Sequence, residues 1–279
     1  MNVSQAIILG AIQGITEFLP VSSSGHLAVA QHFFGISEGS LAFSVVLHIG
    51  TLASIFIAYR ESCMGVLGEL FKMLADIATG KGPRMHASKY RYYIVYILAA
   101  SVPAAVVGLL FDSAIERMFG SIYFVSVAFM ASALILLIGE RASQYAKGSI
   151  RGLGFGKAIG VGLFQMAAIM PGITRSGTTL TGGIVFGLQK EDALEFSFLL
   201  AVPAVLGSTL LEAKDILKLS EAVTWMPLAI GFIVSMAFGL ASIMLLKKLV
   251  QKGSTVVFSV YLAVISLALT VANIIGSRQ

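Results

Sequence analysis

The chain has 279 residues, of which 57% are hydrophobic and only 12% charged, where a soluble domain carries about 25% charge. Mean hydropathy is +0.91, and several continuous apolar runs reach the roughly 20 residues that cross a bilayer as helix; together these exclude a soluble domain and a strand-built barrel. The net charge of +5 comes from Lys and Arg lying mainly between the runs, with no basic face interleaved with aromatics. Nucleic acid is therefore excluded as a partner, and the cations read as topology signals.

Cys63 is the only cysteine, so there is no intrachain disulfide and no cysteine-based metal site. The start, MNVSQAIILG, has no Lys or Arg before its apolar run. It lacks the basic region of a cleaved signal peptide, and residue 1 onward is expected to belong to the fold.

Residues 3–19 predict a helix broken at Pro20, and His26–Phe34 a second short apolar piece ending at Gly35. Neither comfortably spans a bilayer. Together they read as a re-entrant helix–loop–helix hairpin, whose irregular backbone must be buried in protein or line a cavity. Six spans are then expected at about 40–59, 91–111, 121–139, 192–212, 225–247 and 255–275. The charged connection Arg60 to Lys89 includes an amphipathic helix (Val66, Leu67, Leu70, Phe71, Leu74) suited to the membrane interface. Pro103 and Pro203 fall inside spans, where neighbouring helices can satisfy the freed carbonyls.

Between the third and fourth spans the opening pattern returns. A shift of 152 residues places Gly10 on Gly162, Gln13 on Gln165, Ser22 on Thr174, Ser24-Gly25 on Ser176-Gly177 and Phe34-Gly35 on Phe186-Gly187. One inserted residue later, Phe43-Ser44 meets Phe196-Ser197 and Leu47 meets Leu200. The expected architecture is an all-α polytopic membrane protein: six transmembrane helices plus two re-entrant hairpins, in one domain of two repeats, about 1–140 and 153–279. Three spans per repeat is odd, so the second repeat is inverted. Such folds bring broken helices from both halves to the midplane, with half-helix N-termini able to face an anion.

One side of this topology holds fourteen basic residues (Arg60, Lys72, Lys81, Arg84, Lys89, Arg91, Arg141, Lys147, Arg151, Lys157, Lys190, Lys247, Lys248, Lys252) and the other four (Arg117, Lys214, Lys218, Arg278). The first side is then cytoplasmic. Both termini and the mouth of the first hairpin face outward.

The stretch QGITEFLPVSSSGH, Gln13 to His26, gathers Gln13, Thr16, Glu17, Ser22, Ser23, Ser24 and His26 in an otherwise apolar setting. Ionisable groups at membrane depth are costly, and point to function. Gln13 and Glu17, four apart, share a helix face. The second loop, PGITRSGTTLTGG from Pro171 to Gly183, supplies Arg175, whose planar fork suits phosphate oxygens, and the hydroxyls of Thr174, Ser176, Thr178 and Thr179. Together they read as an oxyanion site, and the plainer reading of Arg175 as a buried partner of Glu17 is compatible with it. Glu17 and His26 beside hydroxyls suit attack on a phosphoryl group, with a serine, the histidine or an activated water as nucleophile. A cation at Glu17 and Gln13 stays open, with Mg²⁺ typical of carboxylate-plus-phosphate ligation. His48, flanked by Leu47 and Ile49, reads as a packed or hydrogen-bonded core residue, and His32 and His86 lack partners nearby in sequence.

These stretches resemble the undecaprenyl-diphosphate phosphatase family, the integral-membrane proteins associated with bacitracin resistance. The resemblance is carried by Gln13, Glu17, Phe18-Leu19-Pro20-Val21-Ser22-Ser23 and Gly25-His26. Pro171-Gly172-Ile173-Thr174-Arg175-Ser176-Gly177-Thr178-Thr179 and Glu195 to Pro203, EFSFLLAVP, extend it. It implies hydrolysis of a C55 polyprenyl diphosphate to the monophosphate at the outer face of the inner (plasma) membrane, recycling the lipid carrier for the cell wall. By position, Glu17 and His26 are implied as catalytic, Ser23 as nucleophile or phosphate ligand, and Arg175 as the diphosphate binder. Thr174, Ser176 and Thr179 assist, with Gln13, Ser22 and Ser24 also substrate-binding. Glu17 is the candidate ligand for Mg²⁺ or Ca²⁺; no organic cofactor is expected. Thr174 stands where the family more often has Ser. Gln13 stands where many members have Glu, which removes one anionic ligand.

The resemblance leads to the expectation that Glu17, Ser23, His26 and Arg175 converge in one pocket open to the outer leaflet. The alternative is an inverted-repeat transporter or flippase that binds the same phosphorylated lipid without cleaving it. The partners expected are the polyprenyl diphosphate and membrane lipid, with room for a homo-oligomer.

Overall fold

The computed structural model describes residues 2–34, 41–111, 115, 117–118, 120–216 and 225–276. Gly35, Lys218 and Arg278, used in the readings above, lie outside them. Eleven α-helices are described: α1 Val3–Phe18, α2 Ser23–Phe34, α3 Leu41–Ala58, α4 Arg60–Ala78, α5 Lys89–Leu110, α6 Ile122–Ala142, α7 Phe155–Ala167, α8 Arg175–Val185, α9 Lys190–Ile216, α10 Trp225–Lys252 and α11 Val256–Gly276. No strand occurs among the described residues. Five helices are long and apolar enough to cross a membrane: Lys89–Leu110, Ile122–Ala142, Lys190–Leu210, Trp225–Gln251 and Val256–Ile275. The sixth expected span is the apolar helix α3, which meets α4 at a bend of 90°. The protein is a polytopic α-helical membrane protein.

The 90° bend follows from the sequence. Apolar residues surround α3 on all sides, as in a buried or lipid-embedded helix. At Arg60 the pattern turns amphipathic, and α4 turns with it. Arg91, at the start of α5, anchors α4. Its Nε donates to Glu69 at 2.9 Å, and its Nη1 donates to Asp76 at 2.8 Å and to the Pro83 carbonyl at 3.0 Å. Arg91 is therefore a buried structural cation.

Glycine sets the closest helix contacts. α1 lies along α10. A Cβ on Gly10 would lie 3.1 Å from the Gly231 carbonyl oxygen, and one on Gly14 would lie 2.6 Å from that of Ser235. Small residues four apart on both helices let the backbones approach, as helices in lipid require. The second half repeats the device. α7 lies along α5, and a Cβ on Gly162 would lie 2.5 Å from the Ala100 carbonyl oxygen. Hydroxyls join other pairs: Ser54 donates to the Met236 carbonyl at 2.8 Å, and Ser266 to the Ser126 carbonyl at 2.6 Å.

α1 and α2 form one helix–turn–helix, and α7 and α8 the other. At 16 and 12 residues, the arms of the first hairpin fall short of a span. The two turns face each other. Gly25 lies against Gly172, and Ser176 Oγ donates to the Leu19 carbonyl at 3.3 Å.

Candidate active site

Both second arms begin in the same way. Ser22 precedes α2, and its Oγ accepts the Gly25 N–H at 3.4 Å; Thr174 precedes α8, and its Oγ1 accepts the Gly177 N–H at 3.3 Å. Each is an N-cap, in which a hydroxyl satisfies a free amide of the first turn. The cap oxygens pair with the hydroxyls two residues on, Ser22 with Ser24 at 3.4 Å and Thr174 with Ser176 at 3.3 Å. The first helical residue is Ser23 in one arm and Arg175 in the other.

Both reach Glu17, which is 5% exposed on the last turn of α1. Ser23 Oγ donates to Glu17 Oε2 at 2.6 Å, and Gln13 Nε2 donates to the same oxygen at 2.9 Å. Arg175 Nη2 forms an ion pair with Glu17 Oε1. One carboxylate thus joins the two halves of the chain. Gln13 is fully buried, and its Oε1 has no hydrogen-bond partner among the described residues.

The turn geometry supports this arrangement. Ser22 has φ +70°, an uncommon left-handed conformation for a side-chain-bearing residue, of the kind that clusters at functional sites. Gly172 has φ +92° and passes close to α6, where a Cβ would lie 2.7 Å from the Val125 carbonyl oxygen. Ser132 of α6 holds this second turn, donating to the Gly172 carbonyl at 3.1 Å and accepting the Thr174 N–H at 3.0 Å.

A cavity of about 680 Å³ opens over the cluster. Glu17, Ser23, Ser24, Thr174 and Arg175 line it, a group of five from the sequence reading. The remaining candidates take other places. Gln13 backs Glu17. Ser22 caps α2, and Ser176 ties the two turns together. Thr179 Oγ1 donates to the Arg175 carbonyl at 2.8 Å and pairs with Ser197 Oγ, fixing α8 to α9.

His26 does not join the cluster. Its Nδ1 is 2.8 Å from the Ser22 carbonyl oxygen and its Nε2 is 2.8 Å from the Tyr261 hydroxyl. The ring stacks on Tyr261 and lies beside Phe129. It borders a separate, largely apolar cavity of about 390 Å³, which meets the first only at Thr16. The convergence of four side chains is thus a convergence of three, because both ring nitrogens of His26 face partners elsewhere.

The cavity also holds polar residues not assigned a role from sequence, His48 and Gln165 among them. His48 lines it from α3 and Gln165 from α7. Gln165 is buried, and its Oε1 has no partner among the described residues. Its match to Gln13 under the 152-residue shift was a usable signal. For His48 the Ser44 spacing of four was the only local sign.

For a divalent cation, the cavity offers one carboxylate, that of Glu17. Among the described residues no group of three His, Cys, Asp or Glu side chains comes together. That suits Mg²⁺ or Ca²⁺ only where substrate phosphates complete the shell.

Two broken helices meeting head to head among membrane-length helices, with carboxylate, hydroxyl and guanidinium at the junction, define a polytopic membrane protein with an anion-handling site. The family model described as Bacitracin resistance protein BacA matches residues 6–268, and the chain belongs to that family. It is similar to the undecaprenyl-diphosphatase of Alkaliphilus metalliredigens, 38% identical over 263 residues covering 94% of this chain and 95% of that protein. It is also similar to the undecaprenyl-diphosphatases of Methanosphaera stadtmanae, 36% identical over 99% of both chains, and Methanobrevibacter smithii, 34% identical over 98% of this chain and 99% of that protein.

Proposed function

We propose that the protein hydrolyses undecaprenyl diphosphate to undecaprenyl phosphate and inorganic phosphate. The observation that carries the mechanism is the meeting of Ser23 and Arg175 on the two oxygens of Glu17. Full-length similarity to proteins of that name supplies the substrate.

In the mechanism, the diphosphate enters the cavity and Arg175 exchanges the Glu17 carboxylate for phosphate oxygens, to which its fork is equally suited. Glu17 is left next to Ser23. Ser23 Oγ attacks the terminal phosphorus while its proton passes to Glu17 Oε2, and the bridging P–O bond breaks to release the monophosphate. Water then attacks the phosphoserine, the P–O bond to Ser23 breaks, and the serine oxygen recovers its proton from Glu17. Ser23 is favoured over His26 as nucleophile by its hydrogen bond to a carboxylate base. The amides of the first turns of α2 and α8 add partial positive charge beside the phosphates. Glu17 would hold Mg²⁺ or Ca²⁺ together with the substrate. When bound, such an ion supplies Lewis-acid charge neutralisation.

The two-repeat, inverted organisation belongs to the same reading. The matched caps at Ser22 and Thr174 and the matched glycine contacts at Gly10 and Gly162 support it. With the basic residues placed in the cytoplasm, the site works from the outer face of the plasma membrane.

The test is phosphate release from undecaprenyl diphosphate by the purified protein in detergent, with and without chelator. Release that is lost in folded Glu17→Gln and Arg175→Ala variants supports the reading. Lipid binding without release by the parent protein rejects it.

A further inference from the structure

The cavity is short of positive charge. Among the described residues, its ionisable lining consists of Glu17, Arg175 and His48. Glu17 and Arg175 pair with each other. A diphosphate head group brings about two or three negative charges, since the second ionisation of a phosphate monoester falls near pH 6. Arg175 answers one of them.

His48 is placed to answer another. Its Nδ1 is 2.9 Å from the Ser44 carbonyl oxygen, one helical turn back. A carbonyl only accepts, so the proton of a neutral ring sits on Nδ1 and Nε2 is bare. Nε2 has no hydrogen-bond partner among the described residues, although the ring lines the same cavity as Ser23 and Arg175. The ring is within electrostatic reach of Glu17. A neutral His48 would offer phosphate a lone pair, and a protonated one offers a charged donor.

We propose that His48 is a substrate-binding residue that donates from Nε2, as the imidazolium, to a phosphate oxygen of the bound diphosphate. This rests on the phosphatase reading above and extends its binding site to α3. No other group around His48 supplies this second positive charge. Arg175 on α8 answers the first, and Glu17 on α1 is an acid. The described residues of α2, α5, α7 and α9 bring no ionisable side chain to the cavity. On α10, Lys247 bonds the Ala58 carbonyl at the far end of α3, where α4 also departs.

The test measures KM and kcat for undecaprenyl diphosphate at one pH, on the parent protein, His48→Phe and His48→Gln. In His48→Phe, KM is expected to rise about tenfold, the size of one charge-assisted hydrogen bond, with the loss on KM and not on kcat. His48→Gln, whose amide still donates, is expected to recover part of that loss. A His48→Phe variant with parental KM overturns the proposal, as does one that loses kcat with KM intact. Should the variants fail to fold, the ring nitrogen resonances of His48 in the parent decide, because no change on binding the diphosphate overturns the proposal. Absence of phosphate release by the parent instead rejects the phosphatase reading.

Discussion

Ser23 and Arg175 occupy the same position in two different helices, each the first residue of the second arm of a hairpin, and each holds one oxygen of Glu17. The carboxylate is thereby committed in two directions. In the proposed reaction it is a base towards Ser23. Towards Arg175 it is a placeholder for the anion that Arg175 would bind. Ser23→Ala removes the nucleophile and is expected to lower kcat by at least about 10³-fold, leaving only binding and electrostatic assistance. Arg175→Lys keeps the charge but loses the fork, and is expected to raise KM as well as lower kcat. Steady-state phosphate release checks both, and trapping of labelled phosphoserine in the parent checks the covalent step. A Ser23→Ala enzyme with parental kcat would move the attack to water.

The parts of this site legible in sequence were those set by local chain geometry. Ser22, Ser23 and Thr174, Arg175 sit at helix starts, where Pro, Gly and hydroxyl residues announce a break. Spans were legible because lipid demands long apolar runs. Facing was not. His26 lies beside the loop in sequence, yet its direction is set by Tyr261, 235 residues away. His48 read as core because a membrane helix is apolar on its lipid side and its protein side alike. No periodicity then marks the cavity wall. Ser132 was missed for the same reason.

His26 still matters to the site through the Ser22 carbonyl. Its ring, bound at 2.8 Å, holds the left-handed turn that aims Ser23. In the proposed reaction this makes it a positioning residue. His26→Ala is expected to lower kcat by about 10²-fold, the cost of a misplacement near 1 Å. His26→Asn, which retains a donor for Ser22, recovers part of that loss. The shape of the kcat pH profile stays parental in both variants. Loss of one limb of that profile in His26→Ala would instead make the imidazole an acid or base in the reaction.

The glycine contacts carry a stability prediction with an internal control. A methyl on Gly14 meets the Ser235 carbonyl, Phe238 and the Gly239 amide, of which two are backbone and cannot rotate away. Gly14→Ala is expected to destabilise by about 1–3 kcal/mol, the usual cost of overpacking, and Gly162→Ala by a similar amount against Ala100. Gly14 lies less than one turn before Glu17, so activity falls with stability there. At Gly156 on α7 a methyl meets nothing within 4 Å. Gly156→Ala is expected to be neutral, or stabilising by up to about 1 kcal/mol. Thermal unfolding in detergent ranks the three. Equal tolerance of all three substitutions would mean that α1 and α7 are free to move apart from α10 and α5.

The anchoring of α4 carries a pH dependence whose sign follows from its carboxylates. Hydrogen bonds from Arg91 hold Glu69 and Asp76 below the usual carboxylate range, with Lys72 adding to the effect at Glu69 and Arg84 at Asp76. A lowered value in the folded state means that the unfolded chain binds protons more readily. The stabilisation is therefore complete above the ordinary carboxylate values of about 4 and is lost as pH falls from there through the folded values. Arg91 is buried, so protonating its partners leaves a cation without compensation. Backbone amides of 60–78 are expected to be protected from hydrogen exchange at neutral pH, and to lose protection below about pH 4 once intrinsic rates are corrected. Arg91→Met removes both pairs. It is expected to exchange faster in α4 at neutral pH, with little further change on acidification. Persistence of the parental acid transition in Arg91→Met would assign that transition to other carboxylates.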